Sequence, residues 1–159
     1  MRFLTLLLLA TIVSGCELPE PTPTERIAHA VQMLQGTPYV WGGESLNGAD
    51  CSGAMHNIFK SAGYPFPRMT SRRMQAVFGS GSRTNFCDLC AWDFVWWTFS
   101  VGRPHGHIGL AEGDGIHLWQ AGVKSGFSRK VYRVGGYWDV SYSANGRRKS
   151  NWDCVRFSQ

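Results

Sequence analysis

Apolar residues recur at helical spacing soon after the start of the chain. Ile27, Val31 and Leu34 fall on one face of a 3.6-residue period. The segment Thr22-Pro23-Thr24-Glu25 ahead of them has the form of a capping box with proline at the first helical position. Gly36 follows as a stop signal. The pattern predicts a first helix that begins at the capping box and ends at Gly36.

Two further helices are predicted after a turn-rich segment, residues 39–50, that is expected to be a loop. The second helix begins at about Cys51 and runs to Gly63, with Met55, Ile58 and Phe59 facing inward. Two prolines then break the chain, and a short third helix is expected over residues 71–78.

The second half of the chain is rich in β-branched and aromatic residues and predicts strands. The predicted strands are Phe94–Phe99, His107–Ala111, Ile116–Gln120, Lys130–Arg133 and Tyr137–Tyr142. Helices that precede strands, rather than alternate with them, indicate an α+β domain with an antiparallel sheet.

Composition narrows the class of protein without selecting a partner. The chain has 159 residues, which favours a single domain. A hydrophobic content of 43% and a charged content of 17% exclude disordered and coiled-coil proteins. The formal net charge of +5 suits an anionic partner such as a wall polymer or a lipid headgroup.

Cys51 is the first candidate for chemistry, because a polar loop leads directly into the first turn of its helix. The partial positive charge and free N–H groups of a helix N-terminus favour a thiolate. The alternatives are a buried structural cysteine and one half of a disulfide.

Six short segments occur in one order along the chain, and together they carry a family resemblance. The segments are Pro38–Gly43, Ala49–Gly53, Phe66–Arg68, Thr70–Ser71, Asp93–Trp97 and Gly106–Leu110. Over about residues 25–121 the series resembles the NlpC/P60 family, papain-like cysteine peptidases that trim bacterial cell-wall peptides. The resemblance implies a papain-like fold with N-terminal helices packed on an antiparallel sheet, Cys51 as nucleophile, and no cofactor or metal.

A thiol nucleophile needs a nearby base, and the chain offers five histidines. His107 opens a predicted strand and occupies the catalytic position of the family. His29 lies on the first helix, and His105 beside a proline is expected in a loop. His56 lies about 140° around its helix from Cys51, so it should face away from the nucleophile.

In this family a third polar residue from the next strand orients the imidazole, and Gln120 and His117 are both candidates. A two-residue turn within Gly113-Asp114-Gly115 would pair Gly109 with Gln120 and place Gln120 on the side of the catalytic histidine. A three-residue loop would pair Ala111 with His117 instead. The turn sequence favours Gln120, and His117 stays open.

Further site residues follow from the resemblance. Tyr39 is similar to the family residue that lines the pocket and helps bind the oxyanion or the substrate. Asp50 and Ser52 flank the nucleophile and resemble residues that engage a free amine of the stem peptide. Arg68 is expected to fix the loop after the second helix rather than to touch substrate.

The first sixteen residues have the form of a bacterial lipoprotein signal. One arginine, an apolar run over residues 3–13 and small residues before Cys16 indicate secretion, and the run is too short to span a membrane. The segment Val13-Ser14-Gly15-Cys16 resembles a lipobox, with residues 1–15 as signal peptide and Cys16 lipidated. Glu17 resembles the default outer-membrane sorting pattern, so we expect a periplasmic, lipid-anchored protein.

A proline-rich tether over residues 16–23 is expected to join this anchor to a catalytic domain over residues 24–159. Three further cysteines remain in that domain, and an oxidising periplasm favours one disulfide, between Cys154 and either Cys87 or Cys90. A metal site built on Cys87 and Cys90 would need two more ligands, and the sequence offers Cys154 and a spare histidine for them; no metal is expected.

The expected function is hydrolysis of peptidoglycan stem peptides by Cys-His catalysis, at the bond between D-glutamate and a diamino acid. The expected partners are stem peptides and, through the lipid anchor, a membrane. No nucleic-acid partner is expected, and the protein is expected to be a monomer. Two alternatives stay open: a catalytically decayed lipoprotein that binds the wall as a scaffold, and a secreted effector of the amidase type.

Overall fold

The structure is a computed structural model that describes residues 19–78, 89–99, 106–131 and 150–155. Residues 97–99 and 150–155 are described by their backbone alone. The expected signal peptide, the lipidated Cys16 and the first part of the tether lie outside the described residues.

Helix α1 (Pro23–Leu34) begins as the sequence predicts, at a complete capping box. The Thr22 hydroxyl accepts a hydrogen bond from the Glu25 backbone N–H, and the Glu25 carboxylate accepts one from the Thr22 N–H at 2.7 Å. Gly36 follows the helix with a φ of 82°, a left-handed conformation that ends the helix at low steric cost. Ile27, Val31 and Leu34 are buried, as predicted.

Helix α2 (Cys51–Ser61) ends two residues before the predicted boundary, because Gly63 has a φ of 89°. Its predicted inward residues, Met55, Ile58 and Phe59, have no solvent exposure. Helix α3 (Ser71–Phe78) has the predicted bounds. No helix in the described ranges has the length and apolar character needed to cross a membrane.

Five strands form one antiparallel sheet, which confirms the predicted α+β class. The strands are β3 (Phe94–Phe99), β4 (His107–Ala111), β5 (His117–Gly122), β6 (Gly126–Val131) and β7 (Ser150–Val155). Their order across the sheet is β6-β5-β4-β3-β7, so β4 is central. Helix α2 packs against β4 and β5, and this contact brings the start of α2 to the middle of the sheet.

The strand boundaries differ from prediction where distant segments meet. Strand β6 begins four residues before the predicted start, because its first residues, from Gly126 to Arg129, pair with β5. The Phe127 N–H also donates to the Thr37 carbonyl, and the Gly36 N–H donates to the Phe127 carbonyl. These bonds tie β6 to the end of α1. The predicted strand over 137–142 lies outside the described residues, and β7 was not predicted.

The segment expected to be a loop contains a small hairpin of β1 (Glu44–Ser45) and β2 (Gly48–Ala49). The hairpin lies immediately before α2, and an isolated parallel bridge joins Tyr39 to Ala49. The residues before the nucleophile are therefore held by backbone hydrogen bonds rather than left as an open loop.

The core lies between the helices and the sheet, and aromatic rings fill its centre. The Phe59 ring stacks on Phe66 at a centroid distance of 5.0 Å and contacts Phe94 of β3 at 5.1 Å. Burial of such large apolar side chains is the main favourable contribution to folding. This packing fixes α2 against the sheet and makes the site between them rigid.

Candidate active site

Cys51 is the first residue of α2 and faces β4. The backbone N–H groups of Ile108 in β4, of Ser52 and of Cys51 itself lower the pKa of its thiol, against larger effects that raise it. The residue is 9% exposed. His107 precedes Ile108 in the chain, so the fold brings the predicted nucleophile and the strand of the predicted base together.

Gln120 of β5 holds the imidazole of His107. The His107 Nε2 and Gln120 Oε1 atoms are 2.6 Å apart. Gly109 pairs with Gln120, which is the register predicted for the two strands. Because an amide oxygen only accepts hydrogen bonds, we assign the imidazole proton to Nε2. This tautomer leaves Nδ1 of His107 able to take a proton.

The turn between β4 and β5 keeps the predicted register with a longer loop. The Glu112 N–H donates to the His117 carbonyl and closes a loop over residues 113–116, rather than the predicted two-residue turn. The Asp114 carboxylate accepts the backbone N–H groups of Ile116 and His117, which stabilises the loop.

His117 is the first residue of β5, and its side chain contacts the turn and not the imidazole of His107. Its Nδ1 contacts the Asp114 carboxylate, and Glu112 lies 3.9 Å from the same nitrogen. The structure therefore places Gln120, and not His117, against the imidazole of His107.

Burial sets the protonation of the Cys51 and His107 pair. Burial, with a smaller effect from the Asp50 charge, raises the pKa of the Cys51 thiol to about 11. Burial also lowers the pKa of His107 to about 4, against an opposing effect from the Gln120 hydrogen bond. At neutral pH the site therefore holds a thiol and a neutral imidazole. The expectation of a thiolate favoured by the helix start is wrong for the free protein, because desolvation outweighs the helix N–H groups.

Tyr39 is half-buried beside the start of α2. The Val40 N–H donates to the Ala49 carbonyl at 3.3 Å, and the Ala49 N–H donates to the Pro38 carbonyl at 3.0 Å. Burial raises the pKa of the Tyr39 phenol, and the charges of Cys51 and Asp50 add to this effect. The phenol therefore stays protonated at neutral pH and is able to donate a hydrogen bond.

Asp50 and Ser52 form an internal network at the N-terminus of α2. The Asp50 carboxylate accepts the Gly53 N–H at 2.6 Å, the Gly42 N–H at 2.9 Å and the Ser52 hydroxyl at 2.9 Å. Asp50 is thus the N-cap of the helix, which satisfies free N–H groups of the first turn. This internal role differs from the amine contact expected from the resemblance, and that contact stays a prediction.

Arg68 joins this network through all three nitrogens of its guanidinium. Nη1 donates to the Ser52 hydroxyl at 2.9 Å and to the Met69 carbonyl at 2.6 Å, and Nη2 contacts both Asp50 oxygens at 3.1 and 3.2 Å. Nε lies 3.0 Å from the Glu44 carboxylate. The expected loop-fixing role agrees with the Met69 contact, whereas the contacts with the helix start carry no sequence signal.

Residues 36–145 match the model of the NlpC/P60 family. The chain belongs to the NlpC/P60 family. Among solved structures, the peptidoglycan hydrolase SagA has an NlpC/P60 domain that is similar with a TM-score of 0.53 at 24% identity, over 68% of this chain and 88% of that one. An NlpC/P60 family protein from Bacillus cereus is similar with a TM-score of 0.61 at 23% identity, over 87% of this chain and 41% of that one. These likenesses show the papain-like NlpC/P60 fold.

Two curated relatives extend the comparison. The gamma-D-glutamyl-L-lysine dipeptidyl-peptidase of Bacillus subtilis is 38% identical over 96 residues, which cover 59% of this chain and 31% of the relative. The probable endopeptidase NlpC of Escherichia coli is 25% identical over 154 residues, which cover 88% of this chain and 98% of the relative. The chain spans about a third of the length of the B. subtilis relative.

The other histidines of this NlpC/P60 domain lie away from the Cys51 sulfur or outside the described residues. His29 is exposed on α1. The His56 ring bonds the Phe66 carbonyl through Nδ1 at 2.7 Å, which agrees with its predicted orientation away from Cys51. His105 lies outside the described residues.

Of the three cysteines in the disulfide prediction, the structure describes the side chain of Cys90. Cys90 is an exposed free thiol, so the alternative that pairs Cys90 with Cys154 is not formed. Cys87 lies outside the described residues, and Cys154 is described by its backbone, opposite Val95. A bridge between Cys87 and Cys154 stays a prediction.

Within the described residues, the group of side chains spaced closely enough for a metal ion is Glu112, Asp114 and His117. Arg129 forms an ion pair with Glu112, and the Trp119 ring N–H donates to Glu112 at 2.6 Å. These contacts give the Glu112 carboxylate an ion-pair partner and a hydrogen-bond donor from the chain itself. The group of three lies at the β4–β5 turn and not at Cys51.

Proposed function

We propose that this protein is a cysteine peptidase that hydrolyses peptide bonds in peptidoglycan stem peptides. The observation that carries the proposal is the buried Cys51 thiol at the start of α2, against the strand whose His107 is held by Gln120. Membership of the NlpC/P60 family supports it, as do the peptidase names of the two curated relatives.

The reaction begins from the neutral Cys51 thiol and the neutral His107 imidazole. Nδ1 of His107 takes the thiol proton as the Cys51 sulfur attacks the amide carbon of the substrate. The oxyanion accepts the N–H of Cys51 at the start of α2 and the phenol of Tyr39. The protonated His107 then donates its proton to the departing amine, and a thioester remains on Cys51.

Water completes the cycle. His107, neutral again after the amine has left, takes a proton from a water molecule that attacks the thioester. The second oxyanion uses the same donors as the first, and its collapse returns the proton to the sulfur and releases the acid product. Gln120 acts through His107 by keeping the ring in the orientation and tautomer that both steps need.

The bond that we propose joins D-glutamate to the diamino acid of the stem peptide. The B. subtilis relative is named for cleavage at a gamma-D-glutamyl-L-lysine bond, and its matched segment is 38% identical to this chain. We propose contact of the substrate with Tyr39, Asp50 and Ser52 at the rim of the site, as the family resemblance implies.

Digestion of purified peptidoglycan tests the function directly. The products are separated and identified by mass spectrometry, with Cys51→Ala as the control that keeps the groove and lacks the nucleophile. We expect the wild type to release fragments cut after D-glutamate and Cys51→Ala to release none while still binding wall fragments. Equal digestion by both proteins would contradict the proposal.

The same experiment separates the alternatives. Wall binding without any product from the wild type would indicate a scaffolding lipoprotein. Products that are stem peptides detached from the glycan would indicate an amidase. Only cleavage within the stem peptide agrees with the peptidase.

We further propose that Cys16 is lipidated and holds the domain at the periplasmic face of the outer membrane. The apolar leader and the lipobox-like segment before Cys16 support this location. A protein that carries two acyl chains is held firmly at a membrane, whereas a protein that carries one acyl chain is held only weakly. Labelled palmitate should mark the wild type and not Cys16→Ala, and equal labelling would contradict the anchor.

A further inference from the structure

The guanidinium of Arg68 lies directly on the Asp50 carboxylate, next to the nucleophile in the chain. Arg68 Nη2 contacts both Asp50 oxygens, at 3.1 and 3.2 Å. The side chains are 29% and 11% exposed, so solvent and salt screen the pair only in part. The contact joins residues 18 positions apart, the N-cap of α2 and a residue of the segment between α2 and α3.

The Asp50 charge acts on the Cys51 thiol. The carboxylate is held at the N-terminus of α2 by the Gly53 and Gly42 N–H groups, so it cannot turn away from the helix start. Its negative charge raises the pKa of Cys51, beyond the larger effect of burial. A cation on Asp50 offsets this repulsion, because opposite charges in contact reduce each other's field at a third group.

The titratable groups near the thiol come from three segments. Asp50 acts on the thiol from the helix start, and Tyr39 senses it from the segment before β1. His107 lies on β4 next to Ile108, whose backbone N–H acts on the thiol. Arg68 and then Glu44 lie behind Asp50. Arg68 is the cation that the described part of the chain places on Asp50.

We propose that Arg68 is a positioning residue that sets the reactivity of Cys51, by neutralising the Asp50 carboxylate at the start of α2. Its hydrogen bond to the Ser52 hydroxyl and its ion pair with Glu44 hold the guanidinium in place. For catalysis this inference rests on the proposed peptidase function, whereas the reactivity of the thiol is measurable without a substrate.

The test is the rate at which iodoacetamide alkylates Cys51 between pH 6 and 9, followed by mass spectrometry of the peptide that carries Cys51. Below the pKa of a thiol this rate follows the thiolate fraction. In Arg68→Met the Asp50 charge is unopposed, and we expect alkylation about tenfold slower at each pH, equivalent to a shift of about one pH unit. Circular dichroism establishes that each variant is folded.

Arg26→Met is the matched control. Arg26 bonds the Ala62 carbonyl at 3.0 Å, at the opposite end of α2, and the change removes the same charge from the chain. The length of α2 exceeds the Debye length at physiological salt, so alkylation of Cys51 should keep the wild-type rate.

Two further variants separate charge from structure. Arg68→Lys keeps the charge and loses the planar fork, so its alkylation rate should lie closer to wild type than that of Arg68→Met. Asp50→Asn combined with Arg68→Met removes both charges and keeps a residue that caps helices well, so it should restore the rate. These variants also test the proposal if Arg68→Met fails to fold.

Each outcome bears on one proposal. A wild-type rate in Arg68→Met, or slow alkylation in Arg68→Lys and in the double variant alike, would overturn the role of Arg68. Slow alkylation in Arg68→Met with recovery in the double variant would support that role. If the wild type fails to digest peptidoglycan while the alkylation results hold, the proposed function is wrong and the role of Arg68 stands.

Discussion

In the reaction that we propose, Gln120 acts through one hydrogen bond, to Nε2 of His107. The Gln120 side chain is buried at 1% exposure, so its amide has little freedom to leave the imidazole. A fixed ring keeps Nδ1 directed for proton transfer, and a free ring would spend part of its time in unproductive orientations and in the other tautomer. His117 forms its contacts with the acidic residues of the β4–β5 turn instead.

We therefore expect Gln120→Ala to lower kcat by about ten- to a thousandfold, because members of such catalytic groups contribute unequally. His117→Ala should change kcat by less than about threefold and serves as the control on the same strand. The measurement is the rate of stem-peptide hydrolysis at saturating substrate. A severe loss in His117→Ala with full activity in Gln120→Ala would show that the orienting residue has been misassigned.

At the scale of elements, the start of α2 and the hairpin of β1 and β2 meet with no space between their backbones. A Cβ atom on Gly53 would lie 1.8 Å from the Gly43 carbonyl oxygen. The Asp50 N–H donates to the same carbonyl at 3.0 Å. Glycine at position 53 thus allows the segment that carries Tyr39 to lie against the helix that carries Cys51.

Gly53→Ala should destabilise the protein by about 3 kcal/mol and lower activity, because backbone must move to admit the methyl group. Gly63→Ala, after the other end of α2, is the control. A Cβ there meets no atom within 4 Å, but the φ of 89° is strained for alanine. That change should cost about 1 kcal/mol and leave kcat unchanged. Urea unfolding and hydrolysis rates measure the two effects, and equal results for both glycines would contradict the role of the close contact.

At the scale of the whole molecule, burial of His107 makes the stability of the fold depend on pH. The pKa of His107 is about 4 in the folded protein, against an ordinary value of 6.5. Between these values the unfolded chain binds a proton that the folded protein does not. Stability is therefore lost as the pH falls from about 6.5 towards 4.

The free energy of unfolding should fall by about 2 kcal/mol between pH 7 and pH 5 as a result. Urea unfolding at the two pH values measures the change. His107→Asn removes the titrating group, and its stability should change much less over the same interval. The interval lies above the range in which the carboxyl groups of Glu112 and Asp114 take up protons in the unfolded chain, so their effect is small there. An equal loss in wild type and His107→Asn would exclude burial of the imidazole as the cause.

The sequence by itself determined the features that depend on neighbouring residues. The capping box at Thr22 and Glu25 predicts the start of α1, because its hydrogen bonds join residues three apart. The helix that begins at Cys51 was predictable for the same reason, from a polar loop. The turn sequence only favoured the register that pairs Gly109 with Gln120, and the tertiary structure decided between the two registers. Motif order along the chain was enough to indicate the family.

Only the tertiary structure decided the protonation of the site and the partners of its charges. Desolvation of Cys51 and His107 is the sum of many atoms from α2, β4 and β5, and no local pattern records it. The early start of β6 likewise depends on its pairing with β5. The contact of Arg68 with Asp50 joins residues whose separation along the chain carries no periodic signal. Local hydrogen bonds can be predicted from neighbouring residues in the sequence, whereas burial and long-range ion pairs form only when the chain folds.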